Sequence, residues 1–396
     1  MSGEPETAIE LPVEAAPGLA HRRRGLLFVG LAVAGVSFML TLQLGLNSNF
    51  VAQEMDLTGL RQGLLETFRE SCGILAFLVL AILAGLAEPF VAAAALLLMA
   101  VGLGAYAFVP DYLWLVLANL VWSQGFHVWV PLPNSMTLAL AEPGRAGHRL
   151  GQVRAAGAAG AGAGLVVALV LVWAKVPIRP LYLVAGAAGL LAAAACLGIP
   201  RRIKTPGPRL VFRRRYWLYY LLSFLEGWRK QIFVAFAGFL LVRIYGTPLR
   251  TILLLWMCIQ VITYLASPFV GRLIDRLGER RILVFYFACL TMFFLGYAVI
   301  PNRYVLYGLY VADSAFFVLA MALTTYVNRI APKSEHTPTL SMGVAVNHVG
   351  AVAMPLIGGL LWRYAGHQWA FLIGAGAAAL SILAALRLPP HTPHVE

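Results

Sequence analysis

This chain has few charged residues and no recognisable enzyme signature. Asp, Glu, Lys and Arg make up 12% of its 396 residues, whereas soluble proteins contain about a quarter. The four cysteines have no CxxC spacing, and the sequence contains no P-loop, HExxH or GxSxG motif. These absences argue against a soluble globular fold, a disulfide framework and the common hydrolase and ATPase classes. We therefore expect no enzyme activity, no cofactor and no resident metal.

What the chain has in abundance is apolar sequence. Hydrophobic residues make up 60% of the chain, and its mean hydropathy is +0.79. A transmembrane helix needs about 20 mainly apolar residues. Twelve runs meet this requirement, at residues 24–47, 58–86, 88–108, 111–138, 150–174, 178–199, 216–242, 249–270, 282–300, 303–330, 338–362 and 367–387. The sequence thus predicts an all-α membrane protein with twelve transmembrane helices.

The segment 200–215 is rich in Pro and Arg and separates the spans into two groups of six. The predicted organisation is a disordered cytoplasmic tail at 1–22, a six-helix bundle at 23–199, a cytoplasmic linker at 200–215, a second bundle at 216–388 and a tail at 389–396.

The basic residues indicate how the chain sits in the membrane. The net charge of +13 could suggest nucleic-acid binding, but the basic residues cluster in short loops between apolar runs. If both termini are cytoplasmic, twenty of the 30 Lys and Arg residues lie on the cytoplasmic side and seven on the other. We therefore expect a multi-pass protein of a bacterial-type inner membrane with cytoplasmic N- and C-termini, and no nucleic-acid partner.

One loop carries a recognisable pattern, GRLIDRLGERR, between the eighth and ninth spans. Its characteristic residues are Gly271, Asp275, Arg276, Gly278, Arg280 and Arg281. The pattern resembles the cytoplasmic loop signature of the major facilitator superfamily of secondary transporters. The resemblance implies two six-helix bundles around a central path and transport by alternating access. The corresponding first-half loop departs from the pattern, because its one charged residue is Glu88.

Charged residues also occur in the middle of predicted spans, where an ionised side chain costs at least about 2.5–3.5 kcal/mol unless it is paired or functional. These residues are Glu66, Arg69 and Glu70 in the second span, Glu226, Arg229 and Lys230 in the seventh, and Asp313 in the tenth. Each triplet has i, i+3, i+4 spacing and therefore shares one helix face. Such a face should line an aqueous cavity or meet the other triplet.

Cationic and acidic members of this set suggest different roles. Arg229, Lys230 and Arg69 are candidates for holding an anionic group of a substrate. Glu66, Glu70, Glu226 and Asp313 are candidates for proton coupling or gating. The alternative interpretation is a salt-bridge network between the bundles that closes the cavity and binds nothing.

Further candidates for the substrate site are polar or aromatic residues within spans. They are Trp228, Asn119, His127, Asn347 and His348. Helix packing with satisfied hydrogen bonds would also explain them. The two histidines with Asp313 offer transition-metal ligands, but no local ligand pair supports that interpretation.

The resulting hypothesis is a monomeric secondary transporter, either coupled to H⁺ or facilitative, for a small organic anion or a zwitterion with an acidic group. A rival is an exporter of amphipathic drugs or cations that uses Glu66, Glu70 and Asp313 as binding charges. A rival of another class is a receptor or lipid-handling protein on the same scaffold.

Overall fold

The computed structural model describes residues 19–142, 145–205 and 212–390, and the described residues fold into fifteen α-helices. The parts of the predicted tails at 1–18 and 391–396, and of the predicted linker at 206–211, lie outside the described residues. The first seven helices are α1 Leu19–Asn49, α2 Gly59–Ile82, α3 Glu88–Ala105, α4 Tyr112–Trp129, α5 Leu132–Leu140, α6 Ala146–Trp173 and α7 Ile178–Cys196. The remaining eight are α8 Trp217–Ile232, α9 Gly238–Arg243, α10 Leu249–Leu277, α11 Glu279–Val299, α12 Arg303–Phe316, α13 Met321–Ile330, α14 Lys333–Tyr364 and α15 His367–Ala385.

Ten helical segments in the described part of the chain are long and apolar enough to cross a membrane. Two further rods, α2 and the α8–α9 pair, are comparable in length but contain the charged triplets that the sequence analysis singled out. Helix α1 begins at Leu19 and thus takes in residues 19–22, which the sequence analysis assigned to the N-terminal tail.

Three of the rods are interrupted, and the sequence explains one of the breaks. Pro131 lies between α4 and α5, where its missing N–H and its ring disfavour a continuous helix. A π-helical segment, Phe233–Ala237, joins α8 to α9, and a 3₁₀ segment, Phe317–Ala320, joins α12 to α13. Helix α14 continues through Pro338 and Pro355. The π segment follows the charged triplet of α8, and such segments often occur at functional sites.

The loop motif is more helical than expected. The motif Gly271–Arg281 was expected to join two spans as a loop, but α10 continues to Leu277 and α11 begins at Glu279. The turn is made by Gly278, whose φ of +78° is one that glycine adopts without strain. Gly271, the first glycine of the motif, lies within α10 and takes no part in the turn.

The charges of the motif occupy both sides of this one-residue turn. Asp275 and Arg276 lie in the last turns of α10, and Arg280 and Arg281 lie in the first turn of α11. Asp275 forms no ion pair among the described residues. Instead Arg329 lies 3.2 Å from Glu279, an ion pair between α13 and α11.

The helices pack as two groups. Helices α1–α7, here called the N-terminal bundle, contact one another mainly through α1–α6, α1–α7 and α3–α7, whereas α8–α15, the C-terminal bundle, pack through α8–α14 and α11–α15. The largest contact between the two bundles is that of α2 with α14. The charged face of α2 is therefore placed against the C-terminal bundle.

Glycines make the α2–α14 contact close. A Cβ atom on Gly63 would lie 2.2 Å from the carbonyl oxygen of Pro355, and one on Gly73 would lie 2.6 Å from the His348 ring. Small residues at such positions let helix backbones approach. The polar groups on the two helices are thus brought within hydrogen-bonding distance of one another.

Candidate functional site

The first triplet forms an internal ion-pair cluster on α2. The Arg69 guanidinium lies 2.6 Å from Glu66 through Nε and 2.7 Å from Glu70 through Nη2. All three side chains are largely buried. Both carboxylates share one cation, so the cluster carries a formal charge of −1, as the sequence predicts.

This cluster reaches across to the C-terminal bundle. Gln231 on α8 donates to Glu66 at 3.4 Å, and Gln62 donates to the carbonyl oxygen of Ala235 at 3.1 Å. The second carboxylate, Glu70, lies 3.2 Å from Nδ1 of His348 on α14. The polar face of α2 therefore bonds to both α8 and α14.

His127 from α4 also lies at this meeting point of α2, α8 and α14, here called the junction. Its ring lies 5.1 Å from that of His348, edge to face, and it contacts Phe126 similarly. Nδ1 of His127 lies 2.9 Å from the carbonyl oxygen of Ser123. Thus His127 and His348, one from each bundle, meet at Glu70.

The Lys230 side chain lies beside this junction on α8. Its ammonium donates to Oδ1 of Asn347 at 3.3 Å, and the Asn347 amide donates to the carbonyl oxygen of Ser223 at 3.0 Å. Lys230 also interacts electrostatically with Glu70. Its hydrogen-bond acceptor is nevertheless a neutral amide, unlike the acceptors of the two neighbouring arginines.

The Arg229 side chain points away from the junction and into the C-terminal bundle. Its guanidinium lies 2.6 Å from Glu226 and 3.0 Å from Asp313, and it donates to the Tyr286 hydroxyl at 3.1 Å. The side chain is 2% exposed, and these partners lie on α8, α11 and α12 of the C-terminal bundle. Arg229 is therefore held inside one bundle and, in this conformation, offers no free face to a ligand at the junction.

Two other candidates are also engaged within their own bundles or by packing. Oδ1 of Asn119 accepts from Tyr106 and from Trp122, each at 2.9 Å, and its amide donates to the carbonyl oxygen of Leu65. These bonds hold Asn119 inside the N-terminal bundle, which agrees with the packing interpretation. Trp228 packs edge to face on Phe224, while its indole N–H is buried without a partner in the described residues.

The seven charged residues in the middle of the predicted spans, here called the midplane set, have charges that do not cancel. The three cations are Arg69, Arg229 and Lys230, and the four acids are Glu66, Glu70, Glu226 and Asp313. With neutral histidines the set has a formal charge of −1. Uncompensated charge is unfavourable in a low-dielectric interior, so one added proton or bound cation would bring the set to neutrality.

Contacts between the bundles concentrate toward one end of the molecule, opposite the end at which α1 begins and α15 finishes. At this distal end, Asn49 donates to the carbonyl oxygen of Thr247 at 3.0 Å, and Arg243 forms an ion pair with Asp56. Gly59 packs against Trp362 there as well. These contacts close the distal end of the path between the bundles.

The ends nearer the termini are bonded differently. Arg149 pairs with Glu142 at 2.6 Å within the N-terminal bundle, while Glu335 accepts from Tyr216 at 2.8 Å and pairs with Arg215 within the C-terminal bundle. The ion pairs at this end of the described chain thus stay within single bundles. The bundles are joined by polar contacts at the middle and distal levels.

Two cavities flank the junction. A half-open cavity of about 1040 Å³ at the distal end is lined by Arg61, Arg243 and Arg363 together with Tyr112 and Trp362. A smaller cavity of about 220 Å³ lies between α1, α4, α5 and α6 and is lined in part by Ser37, Asn134 and Arg154. The larger cavity is therefore lined by both bundles, and the smaller one by the N-terminal bundle alone.

Sequence reasoning missed two members of the network. Gln231 bonds to Glu66 across the bundles, and Tyr286 donates to Glu226 at 2.9 Å. Gln231 follows the α8 triplet directly in sequence, which is a usable signal. A single Tyr within an apolar span such as α11 gives no such signal.

Comparison with known proteins points to one superfamily. The family model described as Major Facilitator Superfamily matches residues 216–396. A 130-residue segment is 28% identical to a putative multidrug resistance protein, MdtD, of Escherichia fergusonii, covering 31% of this chain and 26% of that relative's length.

The fold is similar to those of solved transporters over nearly the whole chain. A point mutant of the nucleoside transporter NupG aligns with a TM-score of 0.76 at 15% identity, covering 91% of this chain and 98% of that one. A bacterial homologue of the human lysosomal transporter Spinster, in an inward-facing and unoccupied conformation, aligns with a TM-score of 0.68 at 14% identity, covering 93% and 98%. At these identities the likeness concerns the fold alone.

Proposed function

We propose that this chain is a secondary transporter of the major facilitator superfamily that moves a small organic anion or zwitterion by alternating access. The two charged rods α2 and α8–α9 join the ten apolar segments to give twelve transmembrane helices. The protein acts as a monomer in an inner membrane, with both termini in the cytoplasm.

Lys230 is the observation that supports an anionic substrate. Arg69 and Arg229 each bind two carboxylates, whereas the hydrogen-bond acceptor of Lys230 is the Asn347 amide oxygen at 3.3 Å. A neutral acceptor leaves much of the ammonium's charge available. A carboxylate or phosphate of a substrate can therefore bind Lys230 without displacing a charged partner.

The uneven contacts between the bundles support alternating access. The distal end is joined by Asn49–Thr247 and Asp56–Arg243, while the ion pairs at the other end remain within each bundle. With cytoplasmic termini, this arrangement corresponds to an inward-facing state. Rocking of the bundles would break the distal contacts and the α2–α14 packing to expose the site to the other side.

The charge of the midplane set supports proton coupling. One proton added to the formal charge of −1 gives neutrality, and Glu70 with His348 forms an acid–base pair across the moving interface. Separation of α2 from α14 would break this hydrogen bond and so change the surroundings of the Glu70 carboxylate. Proton uptake and conformational change are thereby linked.

A binding experiment tests the anion assignment. Purified wild-type protein is screened by thermal shift against organic acids, organic phosphates, zwitterions and organic cations, and hits are measured by titration. Lys230→Gln should weaken anion binding about tenfold or more, the scale of one lost charged hydrogen bond. Lys175→Gln, at an exposed loop position, is the matched control. Equal anion binding by wild type and Lys230→Gln contradicts the proposal.

A second candidate function is export of amphipathic cations. The formal charge of −1 at the midplane and the multidrug-resistance name of the Escherichia fergusonii relative favour it. Here Glu66, Glu70 and Asp313 would supply the binding charges. Cation binding that is lost in Glu70→Gln but kept in Lys230→Gln would favour this candidate over the anion transporter.

A further inference from the structure

Three side chains with metal-ligating atoms converge where α2, α4 and α14 meet. One ligand atom from each of Glu70, His127 and His348 lies within 4.8 Å of the other two. The closest pair, Oε2 of Glu70 and Nδ1 of His348, is 3.2 Å apart. Two imidazoles and one carboxylate form a donor set used by protein sites for first-row transition metals.

The hydrogen bonding of His127 suits a ligand. Its Nδ1 lies 2.9 Å from the carbonyl oxygen of Ser123, which can accept a hydrogen bond but cannot donate one. The Ser123 hydroxyl, 3.2 Å from the same nitrogen, donates to the carbonyl oxygen of Arg69 at 2.7 Å, so the arrangement favours a proton on Nδ1 and a lone pair on Nε2. Metal-ligating histidines are commonly oriented in this way by a backbone carbonyl.

The three ligand atoms must move slightly closer together to bind one ion. In a tetrahedral zinc site with bonds of about 2.0–2.2 Å, neighbouring ligand atoms are about 3.4 Å apart. Glu70 and His348 already meet this separation, and the remaining distances are at most 4.8 Å. Side-chain rotation of His127 toward the pair would bring the set to bonding geometry.

The charged residues around the cluster determine the net charge of the site when an ion is bound. Arg69 lies 2.7 Å from Glu70 and also neutralises Glu66, and Lys230 interacts electrostatically with Glu70. A divalent ion would change the formal charge of the seven-residue midplane set from −1 to +1. One anion in a fourth coordination position would then restore neutrality, and three protein ligands leave that position open.

We propose that Glu70, His127 and His348 form a binding site for a first-row divalent metal ion that bridges the two bundles. Glu70 and His127 belong to the N-terminal bundle and His348 to the C-terminal bundle. An ion held by all three opposes separation of α2 from α14. Metal binding therefore stabilises the state in which the distal end is closed and slows the conformational cycle.

The test uses Co²⁺, whose visible spectrum reports its ligands, with purified chelator-treated protein in detergent. Wild type should bind one Co²⁺ with a spectrum of four-coordinate type, and Zn²⁺ should displace it. His127→Asn and His348→Asn should each weaken binding by about tenfold to 100-fold or more, the range for loss of a supporting interaction in a metal site. His148→Asn, at an exposed position near the start of α6, is the control and should bind as wild type does.

A second measurement tests the bridge. Spin labels at Arg61 on α2 and Arg363 on α14, which are exposed and line the distal cavity, should show a narrower and shorter distance distribution when Zn²⁺ is added. Wild type that binds no Co²⁺, or histidine variants that bind it as tightly as His148→Asn, would overturn the proposal. Spin-label distances that do not change when Zn²⁺ is added would overturn the bridging role.

The result of the metal-binding test can be distinguished from the result of the test of the proposed transport function. Anion binding and solute flux are measured in the presence of a chelator, where the metal site is empty by design. Failure of Co²⁺ binding then leaves the transport result standing, and failure of transport leaves the metal titration standing.

Discussion

Glu70 and His348 lie 3.2 Å apart across the interface between the two helix bundles. Both are titratable, and each is fixed by its own bundle or by packing: Glu70 by Arg69 at 2.7 Å, and His348 by its close approach to Gly73. The pair therefore exists while α2 and α14 are in contact. Any motion that separates these helices must break this contact, which makes the pair central to the coupling proposal.

Replacement of Glu70 by Gln is expected to uncouple transport from protons. Gln keeps a hydrogen-bond acceptor for His348 but cannot bind or release a proton. Solute flux in proteoliposomes should respond to an imposed pH gradient in the wild type and ignore it in Glu70→Gln. Glu54→Gln, at a more exposed carboxylate, serves as the control and should keep the response. A Glu70→Gln variant with full pH-gradient dependence would exclude this carboxylate as the coupling group.

Gly63 is expected to be essential for closing the distal end. A Cβ atom there would lie 2.2 Å from the Pro355 carbonyl oxygen, and overpacking of this kind costs about 1–3 kcal/mol. Gly63→Ala should therefore widen the separation of α2 and α14, which spin labels at Arg61 and Arg363 can measure.

The matched control for Gly63 is Gly376→Ala on α15. A Cβ at Gly376 meets no other described atom within 4 Å, so the same change should leave the distance distribution unaltered. If Gly63→Ala and Gly376→Ala give the same distribution, the close approach at Pro355 does not control closure.

Arg229 is expected to matter for stability more than for substrate binding. Removing this buried cation leaves Glu226 and Asp313 unpaired in the C-terminal bundle, and loss of one partner of a buried pair typically costs about 3–5 kcal/mol. Arg229→Met should lower the free energy of unfolding by about that amount in a reversible denaturation assay. The exposed Arg250→Met change should have little effect.

A compensated variant separates charge from packing at Arg229. Arg229→Met combined with Glu226→Gln and Asp313→Asn removes the cation and both anions together. This triple variant should recover most of the lost stability, since its buried charges are gone. A triple variant as unstable as Arg229→Met would show that the loss comes from packing of the Arg229 side chain.

The sequence predicted the helical architecture because long apolar runs have few alternatives in a membrane. It also predicted the charge of −1 on the α2 triplet and the sharing of one face by Glu66, Arg69 and Glu70, since both follow from composition and helical spacing. The turn at Gly278 was predictable as well, whereas the persistence of α10 to Leu277 was not, because charged residues continue a helix as readily as they form a loop.

The partners of the charges could not be read from sequence. Arg229 and Lys230 are adjacent, yet one points into the C-terminal bundle toward Asp313 and the other to Asn347. Helical spacing gives their directions relative to α8, but which neighbour lies in each direction depends on packing among α11, α12 and α14. The convergence of His127, from α4, on His348 is equally a product of tertiary structure.

The bidentate pair of Glu142 and Arg149 gives a pH prediction outside the membrane-spanning segments. Arg149 donates from Nε at 2.9 Å and from Nη2 at 2.6 Å, and these bonds lower the pKa of Glu142 from 4.5 to about 2. Because the folded-state pKa is depressed, the stabilisation by this carboxylate is fully present above pH 4.5 and is lost as the pH falls toward 2.

Arg149→Met removes the cause of the shift and hence the stabilisation. The difference in melting temperature between wild type and Arg149→Met should therefore be constant above about pH 5 and shrink between pH 4.5 and 2, whereas the exposed Arg202→Met change should give a difference that does not vary in that window. A wild type–Arg149→Met difference that stays constant down to about pH 2 would mean that Glu142 is not held ionised by Arg149.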